Sequence, residues 1–239
     1  MKVVVALAGS LQVTELIRER VCSADLVIAA DGGISQLASI SVNPDKIIGD
    51  FDSIDSDLLT ELQKTGTDIT PHPSQEENTD GQVAIDLALD SGATEIILLG
   101  ANGGPRIDHM LANFFFLVSP LYKINKNGDP VRIEIIDGWT EAVGLGMGTE
   151  WENAQRPSVE FMGSPGDYIS LVPISMVVSG IRTTGLRWSM ENAAITLGQA
   201  KTISNELALS RGGFNITSGI AIATHQFQGP SKPTDQKKD

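Results

Sequence analysis

Two aspartates stand two residues apart directly after a short apolar run, in the segment Gly49-Asp50-Phe51-Asp52-Ser53. Because residues two apart on an extended segment point to the same side, we expect Asp50 and Asp52 to present their carboxylates together, with Phe51 turned into the core. Adjacent carboxylates repel each other unless a cation neutralises them, and a hard ion such as Mg²⁺ prefers oxygen ligands. The pair therefore predicts a divalent-cation site. The alternative, that Asp52 and Ser53 only cap the next helix, would leave Asp50 unexplained.

Two further acidic residues stand where the chain is expected to turn into a helix. Asp31-Gly32-Gly33 follows an apolar run, and paired glycines permit a tight turn that lets a ligand approach the backbone, although any sharp turn uses them. Thr79-Asp80 opens a predicted helix, with Thr79 as its cap. An aspartate in the first turn stabilises the helix dipole by itself. The N–H groups at the same position also favour phosphate oxygens, so both roles stay open for Asp80.

A glycine-rich loop over residues 100–106 follows a predicted strand and precedes a predicted helix. It matches neither the P-loop nor the dinucleotide-binding fingerprint. Its Arg106 is the only arginine between Arg20 and Arg132. Within an acidic segment, such a planar guanidinium is a natural clamp for phosphate. Asp108 and His109 are candidates for a base or an orienting group, although a histidine beside an aspartate is more often a structural pair.

The negative charge of the chain is concentrated in one third of its length. The formal net charge is −13, and residues 31–109 hold 15 carboxylates against three Lys and Arg. Such a segment repels phosphate backbones, so we expect no nucleic-acid partner. No apolar run is long enough to span a membrane, and we expect no membrane partner. The single cysteine, Cys22, fits a reducing compartment, and we expect a cytoplasmic protein.

The elements that must position these residues alternate between strand and helix in the first half. Apolar runs that read as strands buried on both faces are separated by amphipathic stretches, which predicts an α/β fold with a doubly wound, mostly parallel sheet. In such sheets ligands bind beyond the carboxyl ends of the strands. The predicted strands are 3–8, 26–30, 46–49, 68–70 and 95–99, the predicted helices are 13–20, 35–40, 56–64 and 80–90, and residues 114–116 are expected to form one buried helix face.

The second half changes to short strands separated by glycine-containing turns, which predicts an all-β domain. The predicted strands are 131–136, 168–173, 193–197, 202–204 and 220–224. We therefore divide the chain into an α/β domain at 1–140, a β domain at 155–228 and a flexible, Pro- and Lys-rich tail at 229–239.

Seven motifs, taken in order along nearly the whole chain, resemble the thiamine pyrophosphokinase (thiamine diphosphokinase) family. They are Asp31-Gly32-Gly33, Gly49-Asp50-Phe51-Asp52-Ser53, Thr79-Asp80, the stretch from Gly103-Gly104 through Arg106-Ile107-Asp108-His109 to Asn113, Tyr168-Ile169-Ser170-Leu171-Val172-Pro173, Gly185-Leu186-Arg187-Trp188 and Ser204-Asn205-Glu206. Each motif is weak evidence alone, and their order and spacing carry the resemblance.

The resemblance implies a catalytic α/β domain followed by a β-sandwich that helps bind vitamin B1. It also implies a homodimer with the active site at the subunit interface. The implied reaction moves the pyrophosphoryl group of ATP to the hydroxyl of thiamine, which gives thiamine diphosphate and AMP. Because thiamine carries a positive thiazolium, an acidic site and an aromatic face both suit it.

Residue roles follow from the motifs position by position. Asp50, Asp52 and Asp80 would hold Mg²⁺ on the phosphates of ATP, Arg106 would contact phosphate, and Asp108 would meet thiamine. The remaining residues implied to bind substrate or nucleotide are Asp31, Gly32, Gly33, Ser53, Gln75, Thr79, Asn113, Trp188, Ser204 and Asn205, of which the last three would line the thiamine pocket. An alternative for Trp188 is a place in the core of the β domain.

The sequence departs from the family pattern at two places. Pro105 intervenes before Arg106, which leaves the reach of that arginine open, and Glu76-Glu77-Asn78 stands where a basic residue often precedes Thr79-Asp80. Two other functions therefore remain open. One is a metal-dependent phosphohydrolase or nucleotidyl transferase, since carboxylate clusters serve these enzymes too. The other is a non-catalytic protein that binds thiamine or a nucleotide.

Overall fold

The structure, a computed structural model, describes residues 1–51, 54, 56–72, 78–119, 122–148 and 155–228. Its elements form two compact units, one over Met1–Gly138 and the other over Trp139–Gly148 together with residues 156–228. Of the residues singled out above, Asp52, Ser53, Gln75, Glu76 and Glu77 lie outside the described residues, as does the tail 229–239.

The first unit is an α/β fold around a parallel sheet. Its elements are β1 (Lys2–Ala6), α1 (Glu15–Cys22), β2 (Leu26–Ala30), α2 (Gly33–Ser39), β3 (Lys46–Gly49), α3 (Ser56–Lys64), β4 (Asp68–Pro71), α4 (Asp80–Asp90), β5 (Glu95–Leu99), α5 (Ile107–Phe116) and β6 (Arg132–Asp137). The strand order is β6-β5-β1-β2-β3-β4, and all five pairings are parallel. The chain builds outward from β1 to β4 and then returns to β5 on the other side of β1. This confirms the predicted doubly wound, mostly parallel sheet.

The central strands of this unit are apolar on both faces. Every residue of Val3–Ala6 and Ile96–Leu99 is fully buried. Each large side chain buried in this way contributes about 1.5–3 kcal/mol to folding. Because neighbouring parallel strands are buried along their whole length, they end at the same edge of the sheet. The loops that follow these strands therefore lie at that edge.

The expectation of one buried aromatic face at residues 114–116 is wrong. Phe116 is buried, but the side chain of Phe115 is half exposed. Three consecutive residues of a helix span about 200° of its circumference, because each residue turns the helix by about 100°. They therefore do not share one face.

The second unit consists of antiparallel strands in two sheets. Its elements are β7 (Thr140–Met147), β8 (Ser158–Met162), β9 (Tyr168–Pro173), β10 (Val177–Thr184), β11 (Ala193–Thr196), β12 (Asn205–Glu206), β13 (Arg211–Asn215) and β14 (Gly219–Gln226). The strand orders are β12-β9-β14-β7 and β11-β10-β13-β8. Side chains of both sheets, among them Leu171, Ala223, Val178 and Phe214, form one buried cluster. The predicted all-β second domain is confirmed as a sandwich.

The predicted strand at 202–204 is wrong, because the chain turns there and the strand follows at β12. Ser204 has a left-handed backbone with φ +59°, which ends the turn, and Asn205 then pairs with Ile169 of β9. Sequence patterning predicted no strand at the positions of β7, β8, β10 and β13. Among the residues that the structure describes, no helix is long and apolar enough to cross a membrane.

Candidate active site

A cleft of about 290 Å³ opens in the first unit, and it is lined by the loops that follow β1 and β5. These two strands are neighbours, and the strand order reverses between them. Ligands of open α/β sheets bind at such a switch point, beyond the carboxyl ends of the strands. The lining residues are Leu7, Ala8, Gly9, Ala30, Asp31, Thr79, Asp80, Gly81, Gly100, Ala101, Gly103, Gly104, Pro105, Arg106, His109, Met110 and Asn113.

Backbone hydrogen bonds join the two loops that form one wall of the cleft. The Gly9 N–H donates to the Gly100 carbonyl at 2.8 Å, and the Ser10 N–H donates to the Asn102 carbonyl at 2.9 Å. A Cβ atom at Gly9 would lie 2.3 Å from the Gly100 oxygen, so only glycine permits this approach. Sequence reasoning missed the loop after β1, and the signal for it is Gly9-Ser10 immediately after an apolar strand.

Asp31 lies at the cleft, and the end of β3 packs against its backbone. Its φ is +42°, a left-handed conformation that aspartate adopts more readily than most residues. The Asp31 N–H donates to the Ile48 carbonyl at 2.7 Å, and a Cβ atom at Gly49 would lie 3.2 Å from the Asp31 Cα atom. The end of β3, from which Asp50 continues, therefore lies beside Asp31. Asp50 itself is exposed and is not among the residues that line the cleft.

The expected alternation of side chains over residues 50–52 is wrong, because the backbone of the central residue, Phe51, is not extended. β3 ends at Gly49, and Phe51 has a left-handed backbone with φ +60°. Alternation of side chains requires extended backbone, so the strand geometry does not continue through this segment. Phe51 does pack against the core, where it is partly buried. The placing of the Asp52 carboxylate beside that of Asp50 stays a prediction.

Thr79 and Asp80 stand together at the start of α4, and both line the cleft. The Thr79 hydroxyl accepts the Gln82 N–H at 3.2 Å, which confirms the predicted cap. One carboxylate oxygen of Asp80, Oδ1, lies 2.9 Å from Nδ1 of His72, a buried residue directly after β4. Sequence reasoning missed His72, whose signal is its place at the carboxyl end of a predicted strand.

Arg106 and Asp108 form an exposed ion pair at the start of α5. The guanidinium donates from Nε and from Nη2 to the two carboxylate oxygens, at 2.9 and 2.6 Å. This contact holds the pKa of Asp108 well below its ordinary value and raises the pKa of Arg106. Arg106 lines the cleft and Asp108 does not. The guanidinium that we expect to clamp phosphate is therefore engaged by a carboxylate in this structure.

Asn113 and the glycine pair after Asp31 have structural contacts of their own. The Asn113 side chain lines the cleft and donates through Nδ2 to the Ala101 carbonyl at 3.1 Å, so it holds the glycine-rich loop. A Cβ atom at Gly33 would lie 1.9 Å from the Ala6 oxygen, so α2 begins in close contact with β1. Neither Gly32 nor Gly33 lines the cleft. Their role in nucleotide binding stays a prediction.

The carboxylate oxygens at the cleft are atoms of the type that binds a hard divalent cation. Asp31 and Asp80 bring carboxylate oxygens to it, and these are the ligands that Mg²⁺ prefers. Within the described ranges, no three His, Cys, Asp or Glu residues lie close enough together to hold a metal ion by themselves. A metal at this cleft would therefore rely on further oxygens, such as those of a bound polyphosphate or of Asp52.

The three residues predicted for thiamine come together in the second unit. The Asn205 side chain is buried, and its Oδ1 accepts the N–H groups of Trp188 at 3.1 Å and Glu206 at 2.9 Å. Its Nδ2 donates to the Trp188 carbonyl at 2.8 Å. Ser204 precedes it, and its N–H donates to the Ser170 hydroxyl at 3.0 Å. Asn205 therefore fixes the backbone that carries the indole of Trp188.

Trp188 is 50% exposed, so the interpretation as a core residue is wrong. The guanidinium carbon of Arg187 lies 5.1 Å from the centroid of its ring, within the range of a cation–π contact. Arg187 also forms an ion pair with Glu206 at 2.7 Å. The half-exposed indole presents an aromatic surface of the kind that attracts cations, a thiazolium among them.

Comparison with known proteins assigns the chain to a family. Residues 17–127 match the family model "Thiamin pyrophosphokinase, catalytic domain", and residues 158–221 match "Thiamin pyrophosphokinase, vitamin B1 binding domain". The thiamine pyrophosphokinase of Bacillus subtilis (strain 168) is 31% identical over 197 residues, which cover 82% of this chain and 85% of that protein. The chain belongs to the thiamine pyrophosphokinase family.

Solved structures of thiamine pyrophosphokinases share the fold. The crystal structure of the Bacillus subtilis protein aligns with a TM-score of 0.77 at 26% identity, over 96% of this chain and 100% of that one. The Geobacillus thermodenitrificans protein aligns with a TM-score of 0.73 at 26% identity, over 98% and 99%. The thiamine pyrophosphokinase catalytic match falls within the unit that holds the cleft, and the vitamin B1 match falls within the unit that holds Trp188.

Proposed function

We propose that this chain transfers the pyrophosphoryl group of ATP to the hydroxyl of thiamine and releases AMP and thiamine diphosphate. The observation that carries the proposal is the cleft at the switch point of the sheet, lined by Asp31, Asp80, Arg106 and a glycine-rich loop, in the unit that matches the catalytic domain of the family. The relative from Bacillus subtilis bears the name of this activity.

The chemistry of the cleft suits a metal-bound polyphosphate. The start of α4 and the glycine-rich loop present backbone N–H groups, and the Arg106 guanidinium matches phosphate oxygens. ATP is strongly anionic, so it would not enter beside Asp31 and Asp80 unaccompanied. We propose that Asp80, with Asp50 and Asp52, holds Mg²⁺, which would neutralise charge on the phosphates when bound. The residues of the chain then act by orienting the phosphates and by shielding them from water.

In this arrangement, the Arg106 guanidinium must leave the Asp108 carboxylate before it can bind phosphate. Both side chains are exposed, so the guanidinium exchanges from the carboxylate to a phosphate without having to leave a buried site. Released in this way, the Asp108 carboxylate is available to a cation, which fits the proposed contact with thiamine. While the pair is intact, the guanidinium holds the pKa of Asp108 low, so the carboxylate is then a weaker base than an unpaired aspartate.

Product analysis tests the proposed reaction. The protein is incubated with ATP, Mg²⁺ and thiamine, and the nucleotide and thiamine products are separated and quantified. We expect AMP and thiamine diphosphate in equal amounts. ADP with thiamine monophosphate as products would indicate an ordinary kinase. Consumption of ATP in a reaction that contains no thiamine would indicate a phosphohydrolase. Binding of either substrate without any product would leave a binding protein. Each of these three results would contradict the proposal.

We predict that Trp188→Ala raises the KM for thiamine about tenfold and changes kcat little, because a cation–π contact contributes roughly 0.5–2 kcal/mol. Leu197→Ala is the control, since Leu197 lies in the same unit and is 52% exposed. Initial rates at varied thiamine concentration measure both constants. An unchanged KM in Trp188→Ala would remove the indole from the thiamine site.

The proposed assembly is a homodimer with its active site at the subunit interface, in the cytoplasm. It is supported by the family resemblance. Light scattering is expected to give twice the chain mass of 25.4 kDa. The specific activity is expected to fall on dilution as the dimer dissociates. A fully active monomer would contradict both the dimer and the shared site.

A further inference from the structure

We propose that His72 is a positioning residue that holds the Asp80 carboxylate in place for the divalent cation. This inference rests on the proposed function, since it concerns the metal site of that reaction. His72 follows β4 directly and is 8% exposed, whereas the side chain of Asp80 is 34% exposed at the cleft. The imidazole therefore approaches the carboxylate from the protein interior and leaves its cleft side open.

The contact between the two side chains defines a tautomer. His72 Nδ1 lies 2.9 Å from Asp80 Oδ1, within hydrogen-bond distance. A carboxylate that holds a cation only accepts hydrogen bonds, so the proposed role requires that Nδ1 carries the proton and donates it. The second carboxylate oxygen, Oδ2, has no part in this bond. One oxygen is thus fixed from behind by the ring, which leaves the other for a cation.

The backbone of His72 ties the same residue to the end of β3. Its N–H donates to the Gly49 carbonyl at 2.9 Å, and Asp50 is the next residue along the chain from Gly49. One residue therefore holds the start of α4 through its side chain and the end of β3 through its main chain. Asp80 and Asp50 stand at those two places. His72 consequently links the two backbone segments that carry the proposed metal carboxylates.

Hydrogen bonds to a ligating carboxylate set its orientation, and loss of such a partner lowers metal affinity by roughly 10- to 100-fold. Among the described residues, His72 is the histidine bonded to a carboxylate at the cleft. A purely structural imidazole would contribute to folding and would leave the affinity for the cation unchanged. The two roles therefore differ in a property that is measured on the protein alone.

Mn²⁺ binding to the full chain, measured by electron paramagnetic resonance without ATP or thiamine, tests the inference. His72→Leu is expected to weaken the Asp80-dependent site by roughly 10- to 100-fold. His72→Asn keeps an N–H donor near the position of Nδ1 and is expected to stay close to wild type. Asp80→Asn defines which site is being measured. Thr67→Val is the matched control, because it removes another buried hydrogen bond of this unit, from Thr67 to the Pro44 carbonyl.

Two results would overturn the inference. One is Mn²⁺ affinity of a folded His72→Leu variant equal to that of wild type, and the other is wild-type binding that does not depend on Asp80. Because neither substrate is present, these results are distinguishable from a failure of the thiamine reaction. In the activity assay, the Mg²⁺ concentration for half-maximal rate is expected to rise in His72→Leu and to recover in His72→Asn.

Nitrogen-resolved NMR of the wild-type imidazoles removes any dependence on variants that fold poorly. The chain has three histidines, so their ring signals are few. We expect His72 to carry its proton on Nδ1 both without and with Mg²⁺. A neutral ring protonated on Nε2 in the Mg²⁺-loaded protein would exclude the donation to Asp80 and would overturn the inference.

Discussion

Asp80→Asn is expected to lower kcat for thiamine diphosphate formation by roughly 10²- to 10³-fold, because the proposed metal carboxylate loses its charge and removal of one preorganised oxyanion-hole donor has a cost of this size in other enzymes. The substitution keeps the size of the side chain and removes its negative charge. Asparagine presents one neutral oxygen where the carboxylate presented two charged ones, so a hard cation is held less firmly. Steady-state rates at saturating thiamine and varied Mg²⁺ measure the loss.

The fold of Asp80→Asn is expected to stay intact, because Thr79 still caps α4 through its hydroxyl. Asp90→Asn is the matched control. It makes the same change at the last residue of the same helix, where the side chain is exposed and does not line the cleft. Thermal unfolding of both variants separates a loss of chemistry from a loss of structure. A turnover rate in Asp80→Asn equal to that of wild type would exclude Asp80 as a ligand of the metal ion.

The sequence predicts those residues of the site whose position depends on where a strand or a helix begins or ends. Continuous apolar runs identify strands buried on both faces, and the residues that follow such runs face the carboxyl edge of a parallel sheet. Asp31 and the glycine-rich loop at 100–106 follow from this reasoning, and both line the cleft. Thr79 and Asp80 follow from helix-start chemistry, which is equally local.

The parts that sequence did not predict depend on contacts between distant segments or on loop conformation. His72 meets Asp80 only because the residue after β4 lies beside the start of α4, and the closeness of Gly9 to Gly100 requires β1 beside β5. The pairing of Arg106 with Asp108 depends on the path of the chain into α5. In the second unit, β10 and β13 contain glycines that read as turns, so strand propensity did not reveal them.

Asp167→Ala is expected to lower the free energy of unfolding of the second unit by about 3–5 kcal/mol, because loss of this acceptor leaves several hydrogen-bond donors unpaired at roughly 1–3 kcal/mol each. The Asp167 carboxylate is 2% exposed. It accepts the N–H groups of Ser164 and Gln228, both at 2.8 Å, and lies 3.1 Å from Nε2 of fully buried His225. The opposite ring nitrogen of His225 lies 3.4 Å from Glu141. Removal of the carboxylate leaves the buried ring of His225 and the part-buried N–H groups of Ser164 and Gln228 without this partner.

Asp25→Ala is the control for that loss, because Asp25 also accepts a backbone N–H, from Lys2 at 2.7 Å, but is exposed. Urea-induced unfolding, monitored through hydrogen exchange of the β14 amides, measures the free energy of unfolding of both variants. Only a small change is expected in Asp25→Ala, and a small change in Asp167→Ala as well would show that the buried contact with His225 is not stabilising.

The same carboxylate predicts the direction of the acid response. Burial alone raises the pKa of Asp167, but the Gln228 and Ser164 N–H groups and His225 outweigh it and hold the pKa below its ordinary value. The unfolded chain therefore takes up the proton first, so the contribution of Asp167 is present above about pH 4 and is lost as pH falls through the lower folded value. The stability difference between wild type and Asp167→Asn is expected to shrink as pH falls below 4. A difference that stays constant down to pH 2 would show that the ionised carboxylate contributes nothing to the fold.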